Sequence, residues 1–153
     1  ESYSFRGVCY FRQGKFNLAL ADLNKAIKLN PNSASTYLGR GIYYTSQKQW
    51  DLALADFNKA IKLNPNSADA YFGRGVYYTS QKQWDLALAD FNKVIQINPN
   101  NAKAYTNRGG ILIKKGNKQK GIQDLEKAAQ LFKAQNNNTD YQKVISSLQK
   151  LQK

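Results

Sequence analysis

Histidine is missing from this chain, cysteine occurs once and proline three times among 153 residues. Without histidine the commonest general base and metal ligand is absent. One cysteine and no histidine exclude the usual zinc spacings, and a lone thiol cannot build an internal disulfide framework. Acids are scarce as well, 10 Asp and Glu against 23 Lys and Arg, for a formal net charge of +13. That excess favours acidic partners and repels basic ones without fixing a fold. No run of about 18 apolar residues occurs, so no transmembrane helix is predicted, and no secretory signal opens the sequence. Glu1 already stands inside a helical pattern and reads as the start of a piece of a longer chain. Cys9, between Val8 and Tyr10, reads as a small buried filler, because a reactive thiol needs basic or helix-terminal surroundings.

What is present is repetition. The seventeen residues Tyr43–Lys59 recur letter for letter as Tyr77–Lys93, and Asn-Pro-Asn surrounds each of Pro31, Pro65 and Pro99. The period is 34, and residues 34–67 and 68–101 differ at only 8 positions. The copies are residues 1–33 (lacking a first residue), 34–67, 68–101 and a diverged 102–135, followed by a tail at 136–153. Periods of this length mark stacked supersecondary units.

Within a copy the apolar spacing is helical. Tyr37, Gly41 and Tyr44 share one face of a first helix; Leu52, Ala53, Phe57, Ala60 and Ile61 share a face of a second. The short polar segment at 46–49 between them predicts a hairpin. The second helix stops at Asn64, since the residue before proline avoids the helical region. The fold is therefore predicted to be all-α. Gly7, Gly41, Gly75 and Gly109 recur mid-helix, where glycine costs about 1 kcal/mol relative to alanine; a close approach of the two helices of a hairpin would account for them. Tyr37, Tyr44, Trp50 and Phe57, with Tyr71, Tyr78, Trp84 and Phe91, read as core.

The pattern Tyr37-x-x-Arg40-Gly41-x-x-Tyr44, then Ala53-x-x-x-Phe57, Ala60 and Pro65, resembles the tetratricopeptide repeat over residues 1 to about 133. Tyr3, Tyr37, Tyr71 and Tyr105 replace that family's usual tryptophan, a mild departure. Arg6, Arg40, Arg74 and Arg108 replace its usual leucine. A charge facing a hairpin core needs a partner, and Asp22, Asp56, Asp90 and Asp124 each follow an arginine by sixteen residues. One Arg–Asp pair per copy is predicted, in preference to a ladder of arginines reading phosphates.

The resemblance implies a right-handed superhelical solenoid of antiparallel hairpins whose concave groove is lined by the first helices. The groove residues are then Ser4, Val8 and Phe11; Leu38, Ile42 and Thr45; Phe72, Val76 and Thr79; Thr106, Gly110 and Ile113. Leu38 and Phe72 differ between otherwise similar copies, so they either set a sequence preference or merely shield neighbouring helices. Chaperone-binding members of the family grip a C-terminal carboxylate with two lysines, two asparagines and an arginine. The matching positions in copies one to three, Ser4, Val8, Gly39, Asp69 and Gly73, fit none of these. In copies two to four they are Leu38, Ile42, Gly73, Lys103 and Asn107, and only Lys103 fits. A chaperone tail is therefore not the expected partner.

In the tail, Tyr141, Val144, Ile145, Leu148 and Leu151 form an apolar stripe behind an expected N-cap at Thr139 or Asp140. This helix is predicted to cap the open end of the stack. Glycines sit in helical Gly-Arg-Gly rather than in a phosphate loop, and Asp51 and Asp85 open second helices, where acids suit the dipole. No catalytic constellation emerges, and neither catalysis nor a cofactor nor a metal is expected.

The function expected is a protein–protein interaction scaffold holding an apolar or acidic peptide in the groove. Arg12, Lys103, Lys114, Lys115, Lys118 and Lys120 would attract acidic partners and speed encounter. The alternative is an electrostatic adaptor that meets acidic protein, anionic lipid or nucleic acid through the basic C-terminal end. Specific nucleic-acid reading is disfavoured, because the aromatics form no stacking platform. Self-association through the first hairpin is a third reading.

Overall fold

The computed structural model describes residues 2–152, which form nine α-helices and no strand. They are α1 Ser2–Arg12, α2 Phe16–Leu29, α3 Ala34–Ser46, α4 Trp50–Leu63, α5 Ala68–Ser80, α6 Trp84–Ile97, α7 Ala102–Lys114, α8 Lys118–Ala134 and α9 Asn138–Leu151. The chain divides into two compact units within α5, between Tyr77 and Tyr78.

Local chemistry starts and stops each helix. Asn30, Asn64 and Asn98 end α2, α4 and α6 in extended backbone, each just before a proline. Their side-chain oxygens accept from the backbone N–H of Asn32, Asn66 and Asn100, each at 3.1 Å, which closes a tight turn. The next helix then begins on a capping side chain. Ser33 accepts from the N–H of Thr36, Ser67 from Ala70 and Asn101 from Ala104. Between the helices of a hairpin the chain enters the left-handed region, at Gly14 and Gly116 but also at Lys48 (φ 58°) and Lys82 (φ 56°).

In the first unit α1 packs on α2 and α3 on α4. Ala19, Leu23 and Tyr43 form one buried cluster, with Val8, Phe11 and Tyr44 against it. Gly41 lies where an added Cβ would stand 2.8 Å from the Phe57 ring, so α3 and α4 can approach only without it. Gly73 meets the same ring from α5, with 2.5 Å between an added Cβ and Phe57 Cζ. Phe57 is thus gripped by glycines of its own hairpin and of the next. In the second unit Leu125, Ala128, Ala129 and Phe132 of α8 join Val144 and Leu148 of α9 in a buried core, with Tyr105 and Ile113 of α7 packed against it.

Three expectations need correction. Of the predicted aromatic core only Phe57 and Phe91 are fully buried; Tyr37, Tyr44, Trp50, Tyr71, Tyr78 and Trp84 are half-buried. The tyrosine faces carry arginines instead: the Arg40 guanidinium lies 5.8 Å from the Tyr37 centroid and 5.7 Å from Tyr44. Cys9 is half-buried and not enclosed. And α9 begins at Asn138, capped by Asn137, whose side chain accepts from the N–H of Asp140. Asp140 belongs to the first turn, where its carboxylate accepts from Asn137 Nδ2 at 2.9 Å.

Candidate functional site

The arginines that stand where the repeat usually has leucine organise the hairpins α1–α2, α3–α4 and α7–α8. Arg6 donates through Nε and Nη2 to both oxygens of Asp22, at 2.6 and 2.8 Å. Arg40 does the same with Asp56, at 2.8 Å twice, and Arg108 with Asp124, at 2.7 Å twice. Such two-pronged bonds raise the pKa of Arg40 and Arg108, and the Arg6 bond holds the Asp22 carboxyl below its ordinary value. Arg74 and Asp90 fall in different units, and their pairing stays an expectation.

Sequence reasoning missed a third member of the arrangement. Arg40 Nη1 donates to Asn24 Oδ1 at 2.7 Å, Arg74 Nη1 to Asn58 at 2.8 Å and Arg108 Nη1 to Asn92 at 2.8 Å. Each asparagine precedes its arginine by sixteen residues, just as each aspartate follows by sixteen. One guanidinium therefore ties its own hairpin together and ties it to the preceding one. The recurrence of Asn24, Asn58 and Asn92 at the repeat period was the signal available.

The first-helix residues assigned to a groove have different surroundings. Ser4 accepts from Thr36 Oγ1 at 3.0 Å, and Phe11 packs edge-on to Tyr43 at 6.2 Å, so these two hold α1 against its neighbours. Thr45 and Thr106 donate to carbonyls of their own helices, at Gly41 and Ala102. Val8, Leu38, Phe72, Val76, Thr79 and Ile113 are half-buried, while Ile42 is 44% exposed in the middle of α3. Of the basic residues, Lys115 Nζ donates to Asp85 Oδ1 at 2.6 Å and Lys114 Nζ lies 5.6 Å over the Trp84 ring. Arg12, Lys103, Lys118 and Lys120 are exposed.

The second unit brings four of the sequence-predicted residues to one cavity of about 420 Å³. Thr79 and Ser80 at the end of α5, Lys82 in the α5–α6 connection and Trp84 at the start of α6 line it, with Thr106, Asn107, Gly110, Ile111 and Lys114 of α7. Sequence reasoning had placed Thr79, Thr106 and Gly110 in a groove and Lys114 in a basic cluster, but not Lys82 or Trp84 at a site. The lining carries two lysines and no acid. A second cavity of about 230 Å³ between α7, α8 and α9 is lined by Lys103, Asn107, Phe132, Asp140 and Lys143 among others. There Lys143 donates to Asp140 at 3.1 Å, so its central charges already answer each other. Among the described residues no cluster of His, Cys, Asp and Glu could hold a metal, and no helix is long and apolar enough to cross a membrane.

Family profiles match along this architecture: a tetratricopeptide-repeat profile at residues 1–33 and 68–101, a TPR-repeat profile at 41–80 and a second tetratricopeptide-repeat profile at 91–123. The chain belongs to the tetratricopeptide-repeat family. Its fold is that family's all-α solenoid of helix hairpins, shared with solved structures. MamA aligns at a TM-score of 0.80 and 28% identity over 90% of this chain and 80% of that one. The first tetratricopeptide domain of Spaghetti (RPAP3), solved with the HSP90 peptide SRMEEVD, aligns at 0.72 and 26% over 75% and 91%. The domain of Arabidopsis OM64 aligns at 0.72 and 24% over 74% and 94%, and bears on the fold alone. No curated protein sequence matches the chain. As a tetratricopeptide-repeat protein, the chain is a protein–protein interaction scaffold.

Proposed function

We propose that the chain receives an extended or helical peptide segment on its first helices and performs no catalysis of its own. In the first unit the apolar contacts are Leu38, Ile42, Phe72 and Val76. The observation that carries the reading is Ile42, a large apolar side chain 44% exposed at mid-helix on α3, in a repeat whose solved relative RPAP3 holds a peptide. The alternative adaptor, acting through the basic C-terminal end, is weakened because Lys115 is already paired with Asp85.

The test is a peptide-library screen in about 0.05 M and about 0.5 M salt, conditions whose screening lengths differ severalfold. The Phe72→Ala variant runs beside the parent chain, with SRMEEVD as a control. Ligands that persist in high salt and are lost in the variant are expected, and SRMEEVD is expected not to bind. Ligands that vanish with salt yet ignore the substitution would transfer the function to the basic end.

A further inference from the structure

The fourth copy departs from all its siblings at one position, and from copies two and three at a second, and the two positions share one cavity. Where copies one to three carry Val8, Ile42 and Val76, copy four carries Gly110. A Cβ built on Gly110 meets nothing within 4 Å, unlike Gly41 or Gly73, so no packing demand explains the glycine. Where copies two and three carry Ser46 and Ser80, copy four carries Lys114, held over Trp84, a cation like Arg12 at this position in copy one. The first change removes bulk and the second adds charge, at successive turns of α7 facing the same space. Opposite stands Lys82, whose backbone is left-handed at φ 56°. Copies one and four place Gly14 and Gly116 at that turn position, the residue suited to it.

Resting on the peptide-binding reading above, we propose that this cavity is a subsite for one acidic side chain of the bound peptide. The carboxylate lies between the Lys82 and Lys114 ammonium groups, and its methylenes occupy the space above Gly110 against Trp84. Charge complementarity selects this occupant: the lining holds two cations and no acid, and the nearest acid along the chain, Asp85, is engaged by Lys115. The site also differs from the family's carboxylate-gripping positions, which in copy four are Lys103 and Asn107. Only Asn107 is shared with this lining.

Phage-displayed random dodecapeptides sorted on the chain test the proposal, with Gly110→Val and Lys114→Gln sorted in parallel. Gly110→Val fills open space and restores the branched residue of copies one and three, so it leaves the fold intact, as circular dichroism would verify. The parent chain is expected to enrich Asp or Glu at one fixed position. Replacing that residue by Gln or Asn should weaken binding about tenfold in the parent and about equally little in both variants. Binders that are lost in Phe72→Ala but show no fixed acidic position would overturn the subsite and leave the peptide-binding reading standing. An acidic position that survives in Gly110→Val and Lys114→Gln would overturn it too. Absence of peptide binders altogether would remove both readings. A dT12 oligonucleotide, tested in the same format, would overturn the peptide occupant if it bound the parent and lost binding in both variants.

Discussion

Gly73 and Gly110 both sit inside first helices, yet their surroundings are opposite. An alanine at 73 would push its Cβ to 2.5 Å from the Phe57 ring, which is fully buried and cannot yield. Overpacking of that kind costs about 1–3 kcal/mol. An alanine at 110 meets open space and removes a mid-helix glycine, a gain of up to about 1 kcal/mol. Urea unfolding of Gly73→Ala and Gly110→Ala is therefore expected to move the midpoint in opposite directions. The distinction was only half legible in the sequence. A glycine repeated at 7, 41, 75 and 109 announces a close approach by its period, whereas Gly73 declares its role only once Phe57 of the preceding hairpin is in place. Arginine behaves likewise: its aspartate sixteen residues on is suggested by the need to pair a charge, but its asparagine sixteen residues back is a neutral partner that no such need demands.

At the scale of the element, helices and turns follow from what was readable: the 3.6-residue apolar spacing, the prolines and the Asn-Pro-Asn stops. The aromatic stripe was less so, because periodicity fixes which face a residue occupies and not how deeply it sinks. The long rings of Tyr37 and Tyr44 remain half-buried with the Arg40 guanidinium against both, even though Tyr44 also packs on Tyr43. The onset of α9 was misread because Asn137 and Asp140 bond to each other, which makes the asparagine the cap and the aspartate a first-turn residue. The hairpin turn offers a direct test of backbone strain. Lys48 holds φ 58°, a conformation costing a non-glycine residue about 1 kcal/mol. Lys48→Gly, which copies the turn of the first hairpin, is expected to raise the midpoint of thermal unfolding by a few degrees.

Across the whole molecule the acids are few, and two are held below their ordinary pKa by hydrogen-bonded cations: Asp22 by Arg6 in the first unit, and Asp140 by Lys143, with Asn137, in the second. A carboxyl depressed by folding adds stability above its unfolded pKa, near 4, and loses that contribution as pH falls through the lower folded value. Thermal unfolding followed by circular dichroism is expected to be nearly flat from about pH 7 to 5 and to fall below about pH 4. Asp22→Asn should be less stable at pH 7 and show a shallower acid decline.

The sixteen-residue rule on either side of each arginine has a genetic corollary. Tyr43–Lys59 and Tyr77–Lys93 are identical residue for residue, so an in-register exchange between their coding stretches would delete or add a whole 34-residue hairpin. Every such product still spells an asparagine sixteen places before each inner arginine and an aspartate sixteen places after it. Copy number can drift while the joints are inherited unchanged, whereas a one-codon insertion between Arg40 and Asp56 shifts that arginine out of step with its aspartate.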